Sequence, residues 1–214
     1  MEAIRRLHNQ KKRELIKRAV APGSYVLDCG CGRGGDLQKW RDVNAIVFGV
    51  DPDHVSIDEA YIRRNLLGMK HRVRFHPGDI FVAEKFGPFD VVCYNFSIHY
   101  IVECLKDSAK AIARSTKRGG LLIGITPDLD RIKEFKSPDA LGNTVEPVDE
   151  TTISVRLVDG PFYAQGARSE PVVTKAMLEE ALKPWFECLE WKPMLDEPNG
   201  LVSDIYSTFI FRRK

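Results

Sequence analysis

The sequence predicts an α/β fold: a mostly parallel seven-stranded sheet flanked by helices, ending in an antiparallel hairpin and carrying a short lid insertion. Three observations predict it. Apolar, β-rich runs alternate with helical patterns, which is the signature of a parallel sheet covered by helices. A glycine-rich loop follows the first of these runs directly and opens a helix. The last two runs are separated only by a turn-rich loop, whereas a parallel crossover needs a dozen or more residues.

The elements follow in order. Residues 1–20 form a basic helix, with Arg5, Arg6, Lys11, Lys12, Arg13, Lys17 and Arg18 against Glu2 and Glu14. This is either the solvated face of an amphipathic helix or a basic arm beside a polyanion. Residues 24–28 make the first strand, 35–42 a helix, 45–50 the second strand and 54–68 a second helix. Strands at 72–76, 89–94 and 120–126 come next, with a helix at 100–115 and the Gly119-Gly120 turn introducing the fifth strand. From 127 to 171 the pattern loosens into Pro, Gly and Asp with one strand-like run at 152–158, read as a lid insertion. A helix at 174–184 and strands at 185–193 and 203–212 close the chain.

At 214 residues the chain suits one compact domain, 1–214. No apolar run approaches the roughly 18 to 20 residues of a membrane span, and the start lacks a signal peptide's apolar stretch. An intracellular location without a membrane partner is expected. Five cysteines without a CxxC pair or a Cys/His cluster indicate neither a disulfide framework nor a metal site. A net charge of +2 does not announce a nucleic-acid binder.

The chemistry concentrates in Asp28-Cys-Gly30-Cys-Gly32-Arg-Gly34-Gly35-Asp36. Gly30, Gly32 and Gly35 satisfy GxGxxG, a pattern shared with nicotinamide and flavin enzymes. Two further features favour S-adenosyl-L-methionine. Asp28, just before the glycines, would repel a pyrophosphate and attract a methionine ammonium. Asp51, ending the second strand, is placed for both ribose hydroxyls, and Asp79 after the third strand for the adenine amino group. Any one of these aspartates alone would more often cap a helix; three in register point to a cofactor.

At this point the chain resembles the mRNA cap guanine-N7 methyltransferases, including those of viral capping enzymes. The resemblance is carried by the glycine loop, by Val50-Asp51 with Val55-Ser56-Ile57, Ala60 and Arg63, by Asn95-Phe96-Ser97-Ile98-His99-Tyr100, and by Gly124-Ile-Thr-Pro-Asp128. It implies a Rossmann-like class I methyltransferase fold that binds S-adenosyl-L-methionine through Lys12, Asp28, Gly30, Asp51, Asp79 and Asn95. The substrate it implies is the capped 5′ end of RNA (GpppN). Phe96 and Tyr100 would line a guanine pocket, His99 would contact the base edge, and Glu170 would accept hydrogen bonds from guanine N1 and its exocyclic amine. Tyr206 would close the pocket, Arg33 and Arg63 would hold the triphosphate bridge, and His8 and Asn9 would add substrate contacts. His8 stands where the family has the first of two asparagines, Arg33 where lysine is frequent, and Asn95 where glutamine is.

Guanine N7 has a free lone pair at neutral pH, so no catalytic base is expected. Orienting N7 against the methyl carbon can supply roughly 7 to 11 kcal/mol of barrier lowering. The resemblance leaves other capping-enzyme domains or an activating subunit as candidate partners, and the nucleus as the location, or the cytoplasm for a viral enzyme. The competing readings are a small-metabolite methyltransferase and a non-catalytic partner subunit with the same fold.

Overall fold

The computed structural model describes residues 2–158 and 166–214. Its main sheet has seven strands in the order β3-β2-β1-β4-β5-β10-β9. Strands β1 (Tyr25–Cys29), β2 (Ile46–Asp51), β3 (Val73–Pro77), β4 (Phe89–Asn95) and β5 (Thr116–Pro127) are parallel, and β9 (Phe186–Pro193) and β10 (Tyr206–Arg213) are the antiparallel closing pair. The expected class I arrangement is what forms.

Both faces of the sheet are covered, because its strands are apolar on both sides. On one face, α1 (Glu2–Ala19), α2 (Leu37–Asp42) and α3 (His54–Leu66) bury Leu15, Ile16, Trp40 and Ile57 against Val26, Val47, Val73 and Ile123. On the other, the short α4 (Ile80–Ala83), α5 (Leu105–Ser115) and α7 (Lys175–Leu182) bury Ile80, Ile112 and Leu178 against Leu27, Val92, Leu122 and Phe209. A fully buried Leu or Ile contributes roughly 1.5 to 3 kcal/mol, so this alternation of faces drives the three-layer arrangement.

Three expectations change. The helix expected from residue 100 begins as a 3-10 segment, Ile98–Cys104, and becomes α-helical only at Leu105. Gly119-Gly120 does not precede β5 but lies inside it, where pairing to β4 jumps from Phe89↔Thr116 to Val91↔Leu121. Gly119 has φ +74°, and a Cβ on Gly120 would lie 2.8 Å from the carbonyl oxygens of Asp90 and Lys117, so the glycines permit a bulge.

The third change concerns the segment 127–171. Its described part holds α6 (Leu129–Glu134) and an antiparallel sheet of β6 (Thr144–Pro147), β7 (Thr152–Arg156) and β8 (Arg168–Pro171). Residues 159–165 of the expected lid lie outside the described residues. Leu129, Ile132, Val145, Ile153, Val155 and Val172 form a small core with Ile4, Val202 and Ile205. Strands of four and five residues, two of them ending in proline, are too short to show a period, and only β7 announced itself. Asp139 fastens this unit by accepting from Asn143 Nδ2 (2.9 Å) and from the Val202 N–H (3.0 Å). Asp128 caps α6 and accepts from Trp191 Nε1 (2.9 Å) and Ser207 Oγ (2.7 Å), so the end of the Gly124–Asp128 motif is a structural knot.

The cations of α1 are largely committed within the protein. Lys11 pairs with Glu14 and Asp196, Lys12 with Asp36, Arg13 with Asp42 and Arg18 with Glu190. The helix is therefore bolted to the domain by its charges, against the reading of a basic arm. No described helix is long and apolar enough to cross a membrane.

Candidate functional site

The glycine loop is tied to the end of β2: the Gly30 and Cys31 N–H groups donate to the Val50 carbonyl at 2.8 and 3.0 Å. Gly30 has φ +70°, and a Cβ there would sit 2.5 Å from Ser97 Cβ, so glycine alone lets the loop reach the end of β4. The Gly32 N–H donates to Asp51 Oδ2 (2.8 Å) and the Asp53 N–H to Oδ1 (3.0 Å), which fixes the Asp51 carboxylate. Beyond it opens a cavity of about 520 Å³ lined by Gly30, Asp51, Asp79, Phe81, Phe96 and Tyr100 among others. That lies within the range of small-molecule sites, roughly 300 to 1,000 Å³. Asp79 does two jobs. Its Oδ1 accepts from the N–H groups of Phe81 and Val82 (3.0 and 3.4 Å), capping α4, and the residue lines the cavity.

Asp28 is elsewhere. It is buried at 4 % exposure, does not line the cavity, and accepts from Trp40 Nε1 at 2.9 Å. Burial, with the negative charge of Asp36 next to it, pushes its carboxyl up to about 7. The acid on which cations converge is Asp36, which the sequence reading passed over. Burial opposes its ionisation, but the Lys12 and Lys39 ammoniums outweigh burial and hold it at about 2. Both lysines bond Oδ1 at 2.8 Å, and Asn95 Nδ2 donates to Oδ2 at 2.9 Å.

Neither Lys12 nor Asn95 lines the large cavity; they meet at Asp36 beside Phe96, whose ring centroid lies 5.5 Å from Lys12 Nζ. Asn9 joins the same cluster by accepting from Lys39 Nζ at 2.8 Å. One acceptor in the cluster is left open: Asn95 Oδ1 is buried and has no hydrogen-bond partner. The signal for Asp36 was present, since it is the acid ending the glycine loop, but nothing local says that two lysines converge on it.

A second, smaller cavity of about 100 Å³ shares Phe96 and Tyr100 with the first. His99, Glu170 and Tyr206 also line it, as do Pro127 and Ile153. Phe96 sits at φ +62°, an unusual conformation for a bulky residue and one that strained functional positions favour. Its ring stacks on His8 (5.1 Å, 20°) and meets Tyr206 edge-on (4.9 Å, 84°). His8 is held by Ser203 Oγ at 2.9 Å, and burial, followed by the Lys12 charge, lowers it to about 4. The Tyr100 hydroxyl donates to Glu170 Oε2 at 2.8 Å.

His99 is buried, its Nδ1 has no partner, and burial lowers it to about 4. An unfolded histidine titrates near 6.5. The neutral ring's contribution to stability is therefore whole above about 6.5 and is lost as pH falls towards 4, a span worth up to roughly 3 kcal/mol. Substituting His99→Gln is expected to shrink the fall in Tm between neutral pH and pH about 4.5. Thermal unfolding across that range checks it, and an undiminished fall would remove His99 from the acid response.

Arg33 and Arg63 lie outside both cavities. Arg33 is 54 % exposed in its side chain and pairs with Glu59 at 3.4 Å, one helical turn before the exposed Arg63. The two cations thus follow one face of α3.

Residues 1–156 match the model of the mRNA (guanine-N(7))-methyltransferase domain. The chain is 34 % identical over 146 residues to an mRNA cap guanine-N(7) methyltransferase of Saccharomyces cerevisiae, covering 61 % of this chain and 33 % of that protein. It is 32 % identical over 183 residues to one of Eremothecium gossypii, covering 74 % of this chain and 42 % of that protein. The chain therefore spans less than half the length of these relatives. Its fold is shared with an S-adenosylmethionine-dependent methyltransferase from Clostridium acetobutylicum (TM-score 0.68, 18 % identity, 97 % and 91 % of the two chains). It is shared too with the glycopeptide N-methyltransferase MtfA complexed with S-adenosylmethionine (TM-score 0.69, 11 % identity, 97 % and 94 %).

Proposed function

The chain belongs to the mRNA (guanine-N(7))-methyltransferase family, and from that premise we propose that it transfers the methyl group of S-adenosyl-L-methionine to N7 of the guanine cap, converting GpppRNA into m7GpppRNA. The observation that carries the proposal is the contiguity of the two cavities: Phe96 and Tyr100 belong to both, so a nucleoside in the larger and a base in the smaller would meet across them.

The residues present fit the cofactor. Asp51 offers a fixed carboxylate to vicinal hydroxyls, Asp79 an acceptor to an exocyclic amine, and the unpaired Asn95 Oδ1 an acceptor to an ammonium beside the ionised Asp36. Lys12 supplies the cation for a carboxylate. When bound, the cofactor supplies an electrophilic sulfonium methyl. The protein's part is orientation: Phe96 and Tyr206 give the guanine aromatic walls, Glu170 accepts from its N1 and N2 donors, and Tyr100 holds that carboxylate in place. No residue needs to take a proton from N7, and the Glu170 carboxylate offsets the positive charge that methylation leaves on the base. Arg33 and Arg63 would face the triphosphate bridge. Other capping-enzyme domains or an activating subunit are the candidate partners, in the nucleus, or in the cytoplasm for a viral enzyme.

The test is mass analysis of GpppRNA incubated with the protein and S-adenosyl-L-methionine. Gain of one methyl on the cap guanine is expected, and its absence overturns the proposal. Asp51→Ala is expected to weaken cofactor binding more than about tenfold, because charge-assisted bonds to the ribose are lost. Calorimetry reads this directly, and unchanged affinity would take Asp51 out of the site.

A further inference from the structure

Two runs of cations differ in how they are paired. Those of α1 are mostly paired with carboxylates. Those of the α3–β3 segment are not. From residue 60 to 78 the chain has no Asp or Glu and carries Arg63, Arg64, Lys70, Arg72 and Arg74. None of these five forms an ion pair among the described residues. Arg64 donates to the Val73 carbonyl (3.2 Å) and lies over the Tyr61 ring, and Arg72 donates to the Asn44 carbonyl (3.2 Å). Neutral carbonyls orient these guanidiniums without cancelling their charge. Lys70, Arg72 and Arg74 are exposed.

The position is as informative as the charge. Arg33, on the glycine loop, reaches Glu59 on α3, and Arg63 follows one turn later on the same face. At 1.5 Å per residue, α3 carries this line roughly 10 Å from Glu59 to the helix end. Beyond it Lys70 and Arg72 lie in the turn, and Arg74 stands on the outer strand β3, on the side of the sheet away from α3, since Val73 and Phe75 pack under that helix. Charge on an outer strand such as β3 also blocks edge pairing, but either sign serves that purpose, and this run is cationic throughout.

We infer that the edge of the domain formed by the end of α3, the turn at 68–72 and the outer strand β3 is a binding track for single-stranded RNA beyond the cap, read through its phosphates and not its sequence. The inference rests on the cap reading for the direction in which the strand leaves the site.

The test measures binding of RNA of about 15 nucleotides, capped and uncapped, to the whole chain and to Lys70→Ala/Arg72→Ala/Arg74→Ala. Methylation of the short cap analogue GpppG is measured beside it. The triple variant is expected to lose about tenfold or more in affinity for both RNAs, and its plot of log affinity against log salt should flatten by about 2. Its KM for GpppG should stay at the wild-type value. The single Lys70→Ala, on an exposed turn, should give a smaller loss in the same direction and covers the case of a triple variant that folds poorly. RNA affinity and salt slope equal to wild type in both variants overturn the track. Should the wild type bind RNA through this face yet fail to methylate GpppG, the track stands and the cap reading falls. Should GpppG be methylated while RNA binding ignores these substitutions, the cap reading stands and the track falls.

Discussion

Replacing Glu170 by alanine is expected to cut kcat/KM for GpppRNA by at least about a hundredfold, with affinity for S-adenosylhomocysteine and Tm near wild type. A carboxylate that accepts from both N1–H and N2–H of guanine makes two charge-assisted bonds, each worth about 1.5 to 3 kcal/mol. The side chain is half-buried on β8, with Oε2 held by the Tyr100 hydroxyl at 2.8 Å, and its strand pairs Glu170 with Ile153. Its removal leaves that short sheet's backbone pairing intact. Glu170→Gln is expected to be nearly as harmful, because an amide presents one acceptor and a misplaced donor to two donors. Tyr100→Phe should cost less, since it loosens the carboxylate without deleting it. Steady-state kinetics on capped RNA separates these cases, and an alanine variant with the wild-type rate would remove Glu170 from guanine recognition.

The second large effect is expected at Asp36. Its carboxylate is the common acceptor for Lys12, Lys39 and Asn95, and the two lysine side chains are only 17 % and 4 % exposed. Breaking a buried ion pair from one side leaves uncompensated charge and costs roughly 3 to 5 kcal/mol. For a chain of this length that corresponds to a fall in Tm of about 6 to 20 °C. Asp36→Ala should also weaken cofactor binding by more than about a hundredfold, since Lys12 and Asn95 lose the group that aims them. Stability and binding can be separated. Asp36→Ala/Lys39→Met removes the buried ammonium with its partner, and it should recover part of the lost Tm without recovering cofactor affinity. A double variant that regains both would reduce Asp36 to a structural role.

Much of the site was legible because its signals are local. A strand, three glycines and the acids after β2 and β3 follow from chain geometry over a few residues, and the loop forms as they dictate. Phe96, His99 and Tyr100 lie within five residues, so their clustering on the pocket needed only the end of β4 to be recognised. Asp28 and Asp36 were not separable in this way. Both are buried acids at the two ends of the glycine motif, and which one is pushed up and which held down depends on cations arriving from α1 and α2.

The sequence by itself determined the sheet, the glycine loop and the family, because periodicity, turn chemistry and motif spacing act between near neighbours. Tertiary structure alone decided that Lys12, Lys39 and Asn95 converge on Asp36, that the 127–171 segment contains a fastened β-sheet, and that α1 is bolted down by its own ion pairs. It also carried His8 across 195 positions to Ser203 and set its ring on Phe96. The physical reason is the same in each case. The state of a buried charge or ring is set by whatever packs against it, and those partners are distant in sequence and adjacent only after folding.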